Sequence, residues 1–146
     1  MNPVRINFAA AVRSAPHGDD AGLRDLLHAL PNPGERHDYL VRLIGTVSHA
    51  GGVNAHITLH YVPDRLIAEA AGFGAYLDAL GRALHETIEG LAACVLDDVN
   101  NALVPRWVRV TLTADSAAAG SRHAVLMEDG QPGWSNDPLI SVLAPL

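Results

Sequence analysis

A long amphipathic helix, set between pairs of alternating strands, constrains the fold of this chain more than any other feature. Between His85 and Leu103 the apolar residues recur at helical spacing and form one continuous stripe. Pro105 follows the stripe and predicts the end of the helix. Because such a helix is apolar along one side only, it must pack against a second apolar layer. The stripe consists of Ile88, Leu91, Ala92, Val95, Leu96 and Val99.

Strands with a period of two supply that second layer. Apolar and polar residues alternate over 56–61 and again from Trp107 to Thr113. Further strands are predicted over Asp38–Val47 and His123–Met127. The residues predicted to face the core are Ile57, Leu59, Tyr61, Val108, Val110 and Leu112, whereas His56, Thr58 and His60 are predicted to face the other way.

Two further helices complete the predicted order of elements. One spans Phe73 to Ala83, and one near the N-terminus is capped by Asp19 or Asp20 and ended by Pro31. The order ββααββ predicts an α+β fold with an antiparallel four-stranded sheet and two helices on one face. Residues 1–30 are predicted to form an N-terminal extension, and residues 31–146 the folded domain. The apolar face of the N-terminal helix is predicted to be Leu23, Leu26, Leu27 and Leu30.

Charge and composition exclude several function classes. The net charge is −6 and no basic cluster occurs, which argues against nucleic acid as a partner. All ten basic residues are arginines, so neither a Schiff-base lysine nor a P-loop is present. The single cysteine, Cys94, excludes a disulfide framework. No apolar run approaches the ~20 residues of a membrane span and no signal peptide is evident, so a cytoplasmic location without membrane contact is predicted.

Short motifs spread from Asn32 to Trp107 match, in order, those of one enzyme family. They are Asn32-Pro33, His37-Asp38-Tyr39, Tyr61-Val62-Pro63-Asp64, Glu69-Ala70 with Tyr76-Leu77, His85-Glu86 and Pro105-Arg106-Trp107. Together they resemble the NADPH-dependent 7-cyano-7-deazaguanine (nitrile) reductase family, QueF, of queuosine biosynthesis. The resemblance implies the tunnelling fold (T-fold) that this family shares with several pterin enzymes.

The resemblance also implies a set of ligand-binding residues. In the family, the glutamate of the His-Glu pair clamps the N–H edge of a guanine-like ring, and the Glu-Ser segment contacts the same base. Glu86, His85, Glu69 and Ala70 occupy those positions here. A carboxylate accepts two hydrogen bonds in one plane, which suits such an edge. The expected ligand is therefore a purine-, deazaguanine- or pterin-like heterocycle.

The chain departs from the family where the chemistry takes place. The family needs a cysteine nucleophile and an aspartate near the second strand, and here that stretch holds Thr46, Ser48 and His49 instead. Two lysines that help bind NADPH are replaced by Ala71 and Gly74. We therefore expect no cofactor and a non-redox step such as hydration, cyclisation or elimination. Proton transfer would fall to His85, His49, Thr46 or Ser48.

Other interpretations remain open at this point. One is a non-catalytic ligand-binding or structural subunit, and another is a reductase that uses different residues. A zinc site built from His49, His56 and His60 is not expected, because positions 56 and 60 lie ~13 Å apart along one strand. The predicted strands lack the lysines and prolines that protect exposed edges, which favours a homo-oligomer. The resemblance implies that the pocket lies at the subunit interface.

Overall fold

The computed structural model describes residues 20–48, 54–83, 87–116 and 120–143. Within them the helices are α1 (Asp20–Asp25), α2 (Ala70–Arg82), α3 (Ile88–Leu103) and α4 (Asp137–Ile140). The strands are β1 (Ala29–Pro31), β2 (Val41–Ser48), β3 (Asn54–Val62), β4 (Leu66–Ala68), β5 (Trp107–Ser116) and β6 (Ser121–Gly130). The main sheet has the order β2-β3-β5-β6 with every neighbouring pair antiparallel, and β1 pairs with β4. This arrangement confirms the predicted four-stranded antiparallel sheet.

The core lies between one face of the main sheet and the helices α2 and α3, as predicted. The stripe of α3 packs into this core along its whole length. Each large apolar side chain buried in this way contributes about 1.5–3 kcal/mol to folding. Six strand residues predicted to face inward are completely buried, namely Ile57, Leu59, Tyr61, Val108, Val110 and Leu112.

Two glycines bring α2 unusually close to β2. A Cβ atom on Gly45 would lie 2.3 Å from Cδ1 of Leu77, and one on Gly81 would lie 2.4 Å from the carbonyl oxygen of Ser48. Any larger residue would push the helix away from the strand. The C-terminal end of α2 therefore lies beside the C-terminal end of β2.

The N-terminal helix is shorter than predicted. It ends at Asp25, His28 adopts a left-handed backbone conformation with φ of 49°, and the following residues form β1 instead of a last helical turn. Leu27 is fully buried, but Leu30 is 42% exposed and does not belong to the apolar face. Pairing of β1 with β4 satisfies the backbone groups there, and Pro31 is tolerated because β1 is an edge strand. The domain boundary predicted between residues 30 and 31 falls within β1.

Several element boundaries also differ from prediction. β2 begins at Val41 because Asp38 and Tyr39 are held in hydrogen bonds to loop residues. α3 begins at Ile88, not His85, since Thr87 is its N-cap and accepts a hydrogen bond from the Gly90 amide at 3.0 Å. β5 and β6 extend beyond the predicted strands, and α2 begins at Ala70.

Candidate functional site

Glu69, a predicted ligand residue, occupies the N-cap position of α2. Its carboxylate makes no capping hydrogen bond, and its Oε2 atom lies 4.0 Å from Nδ1 of His28. The Glu69 side chain is 48% exposed. Ala70 follows as the first helical residue and is also exposed. The carboxylate is therefore accessible and is available to accept hydrogen bonds from a ligand.

Thr46 and Ser48 lie far from Glu69. Both are exposed residues of β2 on the sheet face opposite α2 and α3. The contact with Gly81 places Ser48 beside the last turn of α2, whereas Glu69 precedes its first turn. A helix of 13 residues is about 20 Å long. The structure therefore does not bring the predicted ligand residue and these hydroxyls together within one chain.

Three predicted site residues, His49, His85 and Glu86, lie outside the described residues. Their roles stay predictions.

The main sheet has a second face, opposite α2 and α3, which we call the open sheet face. Ile44 in its middle is 67% exposed. Three cross-strand rows on β2, β3 and β5 define this face. They are Arg42–His60–Arg109, Ile44–Thr58–Thr111 and Thr46–His56–Thr113. The predicted outward direction of His56, Thr58 and His60 is confirmed.

His56 lies directly opposite Thr46 in the register of β2 and β3, and both are exposed. Side chains opposite each other in antiparallel strands have Cβ atoms about 4.5–5.5 Å apart. An imidazole beside a hydroxyl is a suitable pair for proton transfer. The sequence indicated the outward direction of His56 but not its neighbour, because periodicity carries no information about strand register.

His60 is the most unusual residue of the open sheet face. Both ring nitrogens are shielded from solvent and make no hydrogen bond within the described part of the chain. Burial, together with the positive charges of Arg42 and Arg109, lowers the pKa of His60 below its usual value. Leaving a buried polar group without a partner costs about 1–3 kcal/mol. Nothing in the sequence pattern indicated this environment.

The two arginines beside His60 differ in their own contacts. Nε of Arg109 donates to Oε2 of Glu128 at 2.8 Å, and its Cζ lies 5.1 Å from the centre of the Trp107 ring. These contacts fix the guanidinium of Arg109. Arg42 is exposed and forms no ion pair with any described residue. Arg109 is thus fixed and neutralised, whereas no described residue holds the guanidinium of Arg42 in an ion pair.

Arg106 joins the motif residues that carried the family resemblance. Its Nη1 donates to the His37 carbonyl at 2.9 Å and to Asp38 Oδ1 at 3.0 Å, and its Nη2 donates to the Glu35 carbonyl at 2.6 Å. Nη2 also lies 3.4 Å from Oδ1 of Asp64. Arg106 therefore closes the 32–37 loop onto the end of the sheet.

Two residues close to the C-terminal helix α4 also donate hydrogen bonds to Asp38. Burial by itself raises the pKa of Asp38, but hydrogen bonds from Asn136, Trp134 and Arg106, with the charge of Arg106, outweigh it. The net result is a pKa below the usual value. The carboxylate is thus ionised at neutral pH and its lone pairs are occupied by protein donors.

Asn32 completes this network. The buried amide donates from Nδ2 to the Asp64 carbonyl at 2.7 Å, and its Oδ1 accepts from the Gly34 amide and the Tyr39 hydroxyl. A cavity of about 550 Å³ adjoins the loop and is lined by residues 32–37 and Arg106. Polar atoms of four motifs hydrogen-bond to one another in this network, namely Asn-Pro, Asp-Tyr, Pro-Asp and Pro-Arg. These motifs therefore maintain the fold.

Cys94 is buried in α3, and its Sγ lies 3.7 Å from Oδ2 of Asp98. Among the described residues, no group of three or more histidine, cysteine, aspartate or glutamate side chains is placed to hold a metal ion. None of the helices in the described ranges has the length and apolar character needed to cross a membrane.

Comparison with solved structures identifies the fold. An archaeosine synthase described as QueF-Like, solved in its apo form, superposes with a TM-score of 0.54 at 24% identity. The match covers 63% of this chain and 94% of that chain. The chain therefore has the T-fold that its motifs predicted. No family model matches the sequence, and a search of curated proteins gives no match.

Proposed function

We propose that this protein binds a purine-, deazaguanine- or pterin-like heterocycle through Glu69 and Glu86 and catalyses a non-redox step on it. The observation that carries the proposal is the accessible carboxylate of Glu69, which makes no capping bond although it stands at a helix N-cap. It occupies the position that matches the base-contacting glutamate of the nitrile reductases. The likeness to an archaeosine synthase supports the same class of ligand.

The distance between the predicted residues supports a site shared by two chains. Glu69 and Ser48 lie at opposite ends of α2, about 20 Å apart along the helix. A bicyclic heterocycle is shorter than this distance. We propose that the ligand residues of one chain meet the proton-transfer residues of another in a homo-oligomer, with the pocket at the subunit interface.

Hydration, cyclisation and elimination require proton transfers and no electron carrier. Thr46 with His56 forms one pair suited to this, and Ser48, His49 and His85 remain further candidates. Ala71 and Gly74 are exposed on α2, and the space beside Gly74 is open. Neither of these two positions carries the cation with which the family binds NADPH. We therefore propose that the reaction uses no nicotinamide cofactor.

A ligand screen by thermal shift tests the binding step. Guanine, 7-deazaguanine and pterin compounds are added to the full chain, and a compound present at about 100 times its Kd adds about 2.7 kcal/mol of stability. Glu69→Gln should abolish the shift. Asp78→Asn, which changes another exposed carboxylate on α2, is the matched control and should retain it.

Two results would contradict the proposal. One is that no compound of these classes shifts the melting temperature, and the other is that Glu69→Gln and Asp78→Asn respond alike. Binding without turnover of any bound compound would instead identify a non-catalytic ligand-binding subunit.

A further inference from the structure

The open sheet face is positively charged on a protein that is acidic as a whole. Arg42, Arg109 and Arg122 lie on it against two carboxylates, Glu128 and Asp115. The chain as a whole carries −6. Asp115 is already paired with Arg122 at 3.0 Å, and Glu128 with Arg109 at 2.8 Å. The remaining positive charge is therefore that of Arg42.

Arg42 is beyond the reach of Glu128 on this face. The two residues stand on β2 and β6, three strand spacings apart in the order of the sheet. At about 4.8 Å per spacing, their strands are separated by about 14 Å. His60 and Arg109 lie between them. His60 has no hydrogen-bond partner within the described residues, and Arg109 already donates to Glu128. No carboxylate of the described sheet neutralises Arg42.

His60 supplies the second, independent observation. Its two ring nitrogens are withdrawn from water and have no partner in the described part of the chain, although water would ordinarily satisfy them. Burial and the two neighbouring guanidinium groups disfavour protonation of the imidazole. An anion beside it would accept a hydrogen bond from a ring N–H and compensate the charge of Arg42.

We propose that the open sheet face binds an oxyanion of the phosphate class between Arg42 and His60. The guanidinium of Arg42 holds two oxygen atoms of the anion with its planar pair of N–H groups, and His60 donates to a third. Arg109 stays on Glu128 and Trp107 and forms the fixed wall of the site. Arg42 is exposed and has no ion pair among the described residues, and it moves to admit the anion. This site shares the open sheet face with Thr46 and His56 but lies two cross-strand rows away from them, and it does not depend on binding of the heterocycle.

Titration with inorganic phosphate tests this site by NMR of the histidine rings. At constant ionic strength set with chloride, phosphate should bind saturably and raise the pKa of His60, because an adjacent anion favours the imidazolium. Arg42→Gln should weaken phosphate binding at least tenfold. Arg36→Gln removes another exposed arginine that forms no ion pair with any described residue, and this variant should bind phosphate as the parent does.

Acetate in place of phosphate distinguishes the kind of oxyanion. A carboxylate offers only two oxygens, so acetate should compete with phosphate weakly, whereas pyrophosphate should compete well. Equal affinity for acetate and phosphate would overturn the assignment to the phosphate class. A His60 pKa that does not respond to phosphate, or an equal loss of binding in Arg42→Gln and Arg36→Gln, would overturn the site itself.

Discussion

The hydroxyl of Tyr76 on α2 donates a 2.7 Å hydrogen bond to the carboxylate of Asp98 on α3, and neither residue reaches solvent. The bond joins the two helices inside the core. Because both groups are withdrawn from water, removal of one leaves the other short of a hydrogen bond, at a cost of about 1–3 kcal/mol. The packing of α2 on α3 is therefore reinforced by a polar contact as well as by apolar ones.

We expect Tyr76→Phe to lower the free energy of unfolding by about 1–3 kcal/mol, because the fully buried Asp98 carboxyl loses a hydrogen-bond partner. Urea denaturation measures the loss. Tyr61→Phe is the matched control, because Tyr61 is equally buried but its hydroxyl accepts from the amide of the half-buried Ala68 at 2.9 Å. The control should lose about 0.5–1.5 kcal/mol. Equal losses in the two variants would show that the complete burial of Asp98 adds nothing to the cost.

The C-cap of α3 carries local strain that a substitution can remove. Val104 has φ of 46°, a left-handed conformation that costs a branched residue about 1–2 kcal/mol. Its side chain is 58% exposed, so little burial is lost on replacement. Val104→Gly and Val104→Asn should each raise the melting temperature in calorimetry. Val142→Gly, at an exposed valine without positive φ, should not.

The faces of β3 and the stripe of α3 could be predicted because burial repeats with the period of the element itself. The start of β2 could not, since it depends on a contact between Asp38 and Arg106, which are 68 residues apart. Similarly, Leu30 fitted the helical pattern of the N-terminal helix, but it lies in β1, which pairs with β4.

The residues of the candidate site likewise include some that the sequence could indicate and some that it could not. Glu69 could be proposed as a ligand residue because a motif marks its position along the chain. His56 beside Thr46, and His60 between Arg42 and Arg109, depend on the register between strands. Register is set by the packed sheet as a whole, so no local spacing of residues reveals these neighbours.

Acid should weaken the protein through Asp38. The pKa of Asp38 in the folded protein lies below the ordinary value of 3.8. Its contribution to the free energy of unfolding is therefore complete above pH 3.8 and is lost as the pH falls through the folded pKa. Asp38→Asn should therefore be less stable than the parent at pH 7 and show a smaller decline below pH ~4. Denaturation at a series of pH values measures this. Asp78→Asn, which changes an exposed carboxylate on α2, is the matched control.

His60 should produce a separate decline at higher pH. The pKa of His60 in the folded protein lies below the ordinary value of 6.5. Its contribution to the free energy of unfolding is therefore complete above pH 6.5 and is lost as the pH falls through the folded pKa. His60→Phe removes the titrating group and should abolish this part of the pH dependence, measured in chloride without phosphate. His56→Phe, on the same face, is the control. A decline that persists in His60→Phe would assign it to another group.

The last prediction is that binding of the heterocycle and self-association are coupled. Glu69 and the hydroxyls of Thr46 and Ser48 cannot meet within one chain, and β2 and β6 form the two edges of the described sheet. Edges of this kind pair readily with other strands. Light scattering should show a species larger than 15.4 kDa, and dilution into monomers should abolish the thermal shift given by a bound compound.

Mixing two inactive variants tests the shared site directly. One variant is Glu69→Gln, and the other carries both Thr46→Val and Ser48→Ala. Mixed oligomers should regain part of the turnover, because at some interfaces an intact Glu69 from one chain meets the intact hydroxyls of the other. A monomer of 15.4 kDa that binds the compound as tightly as the oligomer would show that the site is complete within one chain.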